Sequence, residues 1–147
     1  MWGEGVTTPR AFVRRLCITA QYRALQVDVR LTPDMDPFVV IGGDAAGLSA
    51  ASKLRRDDPD RDVIVFEKGR WVSYAHCGTP YFIKGEVDRL VDLQSLSPEE
   101  IEERGIDLRR EHEAVGVSTD EKTVTVRGPD GGFVQEYGDL LVATGAR

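Results

Sequence analysis

The chain has 147 residues, enough for one domain with a hydrophobic core, and carries a formal net charge of −6. This acidic balance argues against a nucleic-acid surface, which requires clustered positive charge. Its two cysteines, Cys17 and Cys77, form no CxxC pair and no His/Cys cluster at metal-ligand spacing, so we expect neither a disulfide framework nor a bound metal.

The N-terminal 34 residues differ in composition from the rest of the chain. They contain scattered arginines and show no clear periodicity, and Met35 lies directly before the first predicted strand. We therefore expect two parts: an extension at 1–34, poorly ordered or produced by a start codon assigned too early, and a domain at 35–147. A short targeting or docking segment is the alternative for 1–34.

The chain contains no apolar run near the roughly 20 residues that a membrane helix needs. Charged residues interrupt the apolar stretches at the N-terminus, so no secretory signal is predicted either. We expect a cytoplasmic protein without a membrane partner, in which a lone thiol stays reduced.

The first half of the domain alternates strands and helices. A strand is predicted at 38–41, a helix at 45–56 that ends before Pro59, and a β-branched strand at 62–66 that leads into Glu67. A strand, a tight glycine-rich turn and a helix together are typical of a dinucleotide-binding unit.

The second half changes from helical to alternating periodicity. A loop containing Cys77 is expected to enter a short helix at 81–84, and Ser97-Pro98-Glu99-Glu100 is a capping box that predicts a helix to about Arg104. A meander of short antiparallel strands then precedes the apolar strand at 140–143. The alternating segments lie at 106–110, 114–118, 123–127 and 133–137.

The glycine-rich turn is a candidate site for a pyrophosphate at a helix N-terminus. It comprises Gly42, Gly43, Asp44, Ala45, Ala46 and Gly47. Gly42 and Gly47 match the first and third glycines of the fingerprint, whereas Asp44 replaces the second. Its carboxylate would repel phosphate unless it points away, and the turn alone is also compatible with a structural bend.

Acidic and small residues at two strand ends strengthen the nucleotide hypothesis. Glu67 follows the third fingerprint glycine by about 20 residues, where a carboxylate accepts hydrogen bonds from adenosine ribose hydroxyls. Thr144-Gly145 would close the same pocket from a neighbouring strand. A solvated carboxylate and a plain turn are the alternatives.

Cys77 lies 35 residues after Gly42 and is flanked by His76, Gly78 and Pro80. We expect a reactive thiol at the start of a short helix whose dipole favours the thiolate, although free cysteine is also a common small buried residue. Ser49, Lys53 and Arg56 share one helix face that would receive a phosphorylated substrate or would simply be solvated.

Four parts of the sequence together resemble the N-terminal FAD segment of the pyridine nucleotide-disulfide oxidoreductases. They are 39–47, Glu67, 73–81 and 143–146. The most similar group is the single-cysteine coenzyme A disulfide reductases and NADH oxidases, and the resemblance covers about 35–147. It implies an α/β, Rossmann-like, three-layer FAD-binding domain with a parallel central sheet and an antiparallel meander.

The resemblance also implies a mechanism and a set of site residues. FAD would lie along the glycine-rich turn, Glu67 and Thr144-Gly145, with Lys68 also in contact and the backbone near Val115 beside the adenine. NAD(P)H would reduce the flavin, and Cys77 would cycle through a mixed disulfide with coenzyme A or through a sulfenic acid. The residues implied to contact a coenzyme A disulfide or another small thiol or disulfide are Ser49, Lys53, Arg56, Ser73 and His76.

Two departures from the family pattern affect this interpretation. His76 replaces the asparagine that often precedes the cysteine, which leaves the substrate open. The family's nicotinamide domain and its C-terminal dimerisation domain have no counterpart in this sequence, so we expect a truncated chain that does not turn over alone and a homodimer for the full-length protein. The alternatives are an NADH oxidase or peroxidase, and a non-catalytic flavin-binding remnant or accessory module.

Overall fold

The computed structural model describes residues 36–145, so the segment predicted as an N-terminal extension lies outside the described residues. Within this range the chain contains seven strands and three α-helices. The strands are β1 Phe38–Ile41, β2 Val63–Glu67, β3 Ile106–Arg110, β4 Glu113–Ser118, β5 Thr123–Gly128, β6 Gly131–Glu136 and β7 Asp139–Val142. The helices are α1 Ala45–Asp57, α2 Thr79–Lys84 and α3 Pro98–Glu103, with 3₁₀ turns at His76–Gly78 and Leu90–Leu93.

Four strands form a parallel sheet in the order β3-β2-β1-β7. Central strand β1 pairs with β2 on one side, Val40 opposite Val65, and with β7 on the other, Val40 opposite Leu141. Strands that are covered on both faces are apolar at nearly every position. The VVI run of β1 and the VIVF run of β2 have this pattern. The carboxyl ends of β1, β2 and β7 therefore lie at one edge.

Alternate side chains of β1 and β2 enter two separate cores. Val40 and Val65 face α1 and pack with Leu48 and Ala51, whereas Val39 and other alternate residues face the opposite side. Because successive strand residues point to opposite faces, a continuous apolar run supplies both cores.

The second sheet is antiparallel, in the order β4-β5-β6. Val124 and Val126 of β5 are fully buried, and they belong to the core that also contains Val39, Ile64 and Phe66 of the parallel sheet. The layers are therefore helix, parallel sheet and meander. This confirms the predicted three-layer α/β architecture.

One predicted strand belongs to a different sheet. The sequence pattern predicts residues 106–110 as part of the antiparallel meander, but β3 pairs in parallel with β2, Val63 opposite Ile106. The reason is that α3 supplies the crossover, and Ile106 and Leu108 then point into the core beneath α1, together with Ile101 of α3.

The remaining differences are at element ends. Helix α2 begins at Thr79, earlier than the predicted 81, because Pro80 fits the first turn, where its missing N–H costs nothing. Strand β2 is Val63–Glu67 and α1 continues to Asp57. None of the helices between residues 36 and 145 is long and apolar enough to cross a membrane.

Candidate functional site

Gly42 lies where the carboxyl ends of three strands meet. Its N–H donates to the Phe66 carbonyl at 2.8 Å, and the Ala143 N–H donates to the Ile41 carbonyl at 2.8 Å. Gly42 has φ +114°, and a Cβ there would overlap the Ala143 carbonyl. Only glycine satisfies both conditions, so the turn brings bare backbone to this edge of the sheet.

The N-terminus of α1 packs directly on the same turn. A Cβ at Gly47 would overlap the Gly42 carbonyl and would lie 3.0 Å from Val40 Cγ1. Asp44 is the N-cap residue of α1, but its side chain makes no cap hydrogen bond. The first-turn N–H groups are thus left without a side-chain partner, an arrangement that suits an anionic group.

Glu67, at the end of β2, ties the turn to the following loop. Its Oε2 accepts the Gly43 N–H at 2.7 Å and its Oε1 accepts the Gly69 N–H at 2.7 Å. Each carboxylate oxygen has a second lone pair, so both ribose hydroxyls of an adenosine can still donate to it. The two backbone bonds hold the carboxylate in a fixed position.

A groove of about 870 Å³ runs along this edge. It falls within the usual range of roughly 300–1,000 Å³ for small-molecule sites. Seven predicted site residues line it: Gly42, Asp44, Glu67, Lys68, His76, Thr144 and Gly145. The structure therefore brings the turn, the acidic strand end and the last strand together in one concave surface.

Several residues of this groove were not predicted from the sequence. Its aromatic and apolar lining includes Phe66, Trp71, Tyr74, Leu90 and His112, and the meander contributes Glu113 and Ala114. Trp71 and Tyr74 lie in the chain between the predicted site residues Lys68 and His76, and this position would have identified them. The positions of His112 and Ala114 depend on how the meander packs on the sheet, which no local pattern reveals.

The segment that carries Cys77, residues 73–81 (the Cys77 segment), is attached to the glycine-rich turn. The Ser73 N–H donates to the Gly43 carbonyl at 3.0 Å, and the Ala75 N–H donates to the Leu93 carbonyl at 2.8 Å. Cys77, predicted at the start of a short helix, is a free, exposed thiol in the 3₁₀ turn that leads directly into α2. It is not among the residues that line the groove, whereas His76 is.

Asp44 makes the second attachment. Its Oδ1 accepts the Tyr74 N–H at 2.9 Å, and its Oδ2 lies 2.7 Å from His76 Nε2. The carboxylate that replaces the second fingerprint glycine is therefore directed at the Cys77 segment.

The other predicted contacts lie outside the groove. Ser49, Lys53 and Arg56 are exposed on α1, and Lys53 forms an ion pair with Asp57. Val115 is exposed, whereas Glu113 and Ala114 are the residues of β4 that line the groove. Ser73 is also absent from the lining; it is buried and has φ +52°, so its backbone shapes the bend at the start of the Cys77 segment. Within the glycine-rich turn, the residues that do not line the groove are Gly43, Ala45, Ala46 and Gly47.

The turn, Glu67 and the groove together fit a dinucleotide. Bare backbone at a helix N-terminus suits the pyrophosphate, and the fixed carboxylate suits a ribose. Such a site on a parallel sheet, with a thiol segment hydrogen-bonded to its glycine-rich turn, is typical of a nucleotide-dependent redox domain.

The comparison with known proteins gives the family. Residues 36–147 match the family described as pyridine nucleotide-disulphide oxidoreductase. The chain belongs to this family, as the resemblance predicted. At the level of the family, the predicted cofactors FAD and NAD(P)H are confirmed too.

Two of the similar proteins have names that specify sulfur compounds. The chain is 45% identical over 109 residues to the NAD(P)H sulfur oxidoreductase (CoA-dependent) of Pyrococcus abyssi, covering 74% of this chain and 24% of the relative. It is 35% identical over 115 residues to the coenzyme A disulfide reductase of Staphylococcus haemolyticus, covering 76% and 26%.

A solved structure agrees with these relatives. The reduced Bacillus anthracis CoADR-RHD superposes with a TM-score of 0.73 at 32% identity, covering 78% of this chain and 21% of that chain. The chain thus spans about a quarter of the length of the curated relatives it matches.

Proposed function

We propose that this chain supplies the FAD-binding segment and the reactive thiol of an NAD(P)H-dependent disulfide reductase of the coenzyme A disulfide reductase type. The observation that carries the proposal is the direct attachment of the Cys77 segment to the glycine-rich turn, through the Gly43 carbonyl and the Asp44 carboxylate. Because the thiol segment and the nucleotide site share these bonds, the thiol is held at a constant position relative to a bound cofactor. The activity is assigned to the whole protein.

FAD would be held by backbone at Gly42–Gly47, by Glu67 and by the small residues Thr144 and Gly145. When bound, FAD supplies the electron pair that reduces the disulfide formed at the cysteine. The lining around Trp71 and Tyr74 would exclude water from the groove, and Lys68, which pairs with Glu113 at 2.8 Å, would border it.

The exchange of sulfur bonds takes place between Cys77 and an incoming disulfide. The Cys77 thiolate attacks one sulfur, a bond from Cys77 Sγ to that sulfur forms, and the substrate disulfide bond breaks to release a thiolate. An exposed thiol in a short turn is accessible to such a substrate. Two electrons, originating from NAD(P)H, then return the mixed disulfide to free thiols.

The substrate contacts stay predictions. Coenzyme A carries phosphates, and Lys53 and Arg56 lie on one exposed side of α1. Lys53 would exchange its partner Asp57 for a phosphate. His76 and Ser73 lie in the Cys77 segment itself, close in sequence to the reacting sulfur. The homodimer and the cytoplasmic compartment also stay predictions from the sequence.

The test is mass spectrometry of the intact, full-length, FAD-loaded protein with and without reductant. A coenzyme A adduct on Cys77 that reductant removes supports the proposal, as does loss of NAD(P)H-dependent coenzyme A disulfide reduction in Cys77→Ser. Dimedone labelling of Cys77 without an adduct would favour the oxidase or peroxidase. Unchanged disulfide reduction in Cys77→Ser would rule out the thiol mechanism, and absence of any turnover would favour the non-catalytic alternative.

A further inference from the structure

We propose that Asp44 is a positioning residue that sets the tautomer of His76 next to Cys77. This inference rests on the proposed function, because it gives the proton step of the same site. Its basis is one carboxylate that contacts the segment through both oxygens, the Tyr74 N–H at 2.9 Å and His76 Nε2 at 2.7 Å.

The chemistry of the contact determines which ring nitrogen carries the proton. An ionised carboxylate only accepts hydrogen bonds, so Nε2 of His76 must be the donor. In the neutral ring the other nitrogen, Nδ1, then has no proton and is the acceptor. A carboxylate that holds one histidine nitrogen in this way orients the ring and defines its proton-exchanging side.

Two further contacts restrict the ring. The Tyr74 and His76 rings meet edge to face with centroids 5.2 Å apart. Asp44 itself is fixed at the N-cap position of α1, where its carbonyl accepts the Leu48 N–H at 2.9 Å. The imidazole is therefore bound on one side by a rigid carboxylate and on another by an aromatic ring, and it faces the groove.

Exposure shows that this pair is not mainly a stabilising ion pair. The side chain of His76 is 77% exposed and that of Asp44 is 36% exposed. Ion pairs in such exposed positions contribute little to folding. The effect of Asp44 is therefore on the orientation of the ring.

The oriented ring can supply the proton that the leaving thiolate takes up in the disulfide step. When the Cys77 thiolate attacks a disulfide, a new S–S bond forms and the substrate S–S bond breaks to release a thiolate. A protonated His76, with its Nε2–H held by Asp44, gives the Nδ1 proton to that thiolate. The products are a neutral thiol and a neutral ring that keeps its Nε2 proton.

Asp44→Asn gives a specific test because it keeps the shape of the side chain, replaces one oxygen with an NH₂ group and removes the charge. The amide oxygen can still accept the Tyr74 N–H, but an NH₂ donor then faces His76 Nε2. Nε2 must become the acceptor, so the neutral ring should change to the Nδ1–H tautomer. Asp92→Asn, in the nearby 3₁₀ turn, is the matched control.

The experiment is ¹⁵N NMR of the full-length, FAD-loaded protein labelled at histidine, recorded where the ring signals show that His76 is neutral. The His76 signals are assigned by their loss in His76→Gln. We expect the Nε2–H tautomer in the unmodified protein and in Asp92→Asn, and the Nδ1–H tautomer in Asp44→Asn. An Nδ1–H tautomer in the unmodified protein would overturn the proposal without any variant, and so would an unchanged tautomer in Asp44→Asn.

A kinetic measurement tests the consequence. In a single turnover, the reduced protein is mixed with coenzyme A disulfide and the release of thiol is timed. We expect His76→Gln to slow release by about 10²-fold, the lower end of the usual contribution of a positioned acid, and Asp44→Asn by about 10-fold. The double variant should be no slower than His76→Gln, because the two residues act as one unit.

The two proposals fail in different ways. If Cys77→Ser abolishes disulfide reduction but Asp44→Asn changes neither tautomer nor rate, the disulfide reductase stands and the positioning role is wrong. If the tautomer changes as expected but Cys77→Ser still reduces disulfides at the original rate, the function is wrong and the Asp44–His76 contact remains.

Discussion

The carboxylate of Glu67 accepts the backbone N–H of Gly43 at 2.7 Å, which joins the end of β2 to the turn that follows β1. The second oxygen accepts the Gly69 N–H at 2.7 Å. A residue predicted from its position as a ribose ligand thus also organises the turn. The two roles are compatible, because each oxygen retains a lone pair.

Glu67→Gln should therefore weaken both the fold and the cofactor site. The amide keeps one acceptor oxygen and places an NH₂ donor against a backbone N–H, which leaves a donor unsatisfied. We expect the free energy of unfolding to fall by about 1–3 kcal/mol in urea denaturation. The FAD dissociation constant should rise by about 10-fold, measured by flavin fluorescence.

Glu121→Gln is the control for this charge change, because Glu121 is exposed in the turn between β4 and β5. Its unfolding free energy should stay within about 0.5 kcal/mol of the unmodified protein. Equal FAD affinity in Glu67→Gln and in the unmodified protein would contradict the ribose role.

The capping box of α3 gives a second prediction. The Glu100 N–H donates to Ser97 Oγ at 3.2 Å, and the Ser97 N–H donates to Glu100 Oε2 at 2.7 Å. Ser97→Ala should lower the free energy of unfolding by about 1 kcal/mol. Ser95→Ala, at an exposed position two residues earlier, should show no such loss, and an equal loss in both would contradict the capping role.

The order of elements was predictable because local patterns encode it. The apolar runs of β1 and β2, the glycine-rich turn and the capping box at Ser97 each carry their own signal, and all appear in the structure. Strand β3 was assigned to the wrong sheet, since a short alternating strand has the same pattern in either. Only the crossover through α3 determines its partner.

The site was predictable where it follows strand ends. Gly42, Glu67 and Thr144 meet in the groove because parallel strands present their carboxyl ends at one edge. The direction of the Asp44 side chain was not predictable, because it depends on a partner 32 residues away at His76. His112 enters the groove through the packing of the meander, which is also a long-range relationship.

The Arg89–Asp92 pair predicts an acid-sensitive contribution to stability. A hydrogen bond from the Arg89 guanidinium lowers the pKa of Asp92 below its ordinary value. Because the pKa is lower in the folded than in the unfolded chain, the contribution is present above the unfolded pKa. It is lost as the pH falls through the folded pKa.

Carboxyl ¹³C NMR of Asp92 measures this titration directly. We expect its midpoint below the usual range for aspartate, and Arg89→Gln should move it upward. Arg104→Gln, an exposed arginine at the end of α3, should leave it unchanged. A midpoint that does not respond to Arg89→Gln would show that the pair does not persist in solution.

Gly47→Ala tests the close packing of α1 on the glycine-rich turn. The added Cβ would overlap the Gly42 carbonyl, so the backbone of α1 or of the turn would have to shift. We expect a loss of about 3 kcal/mol in the free energy of unfolding, or failure to fold, together with loss of FAD binding. Gly116→Ala is the matched control, because its Cβ would lie 3.7 Å from Thr125 Cβ, an ordinary contact. Thermal denaturation and flavin absorbance of both variants check this, and normal FAD content in Gly47→Ala would show that the pyrophosphate is bound elsewhere.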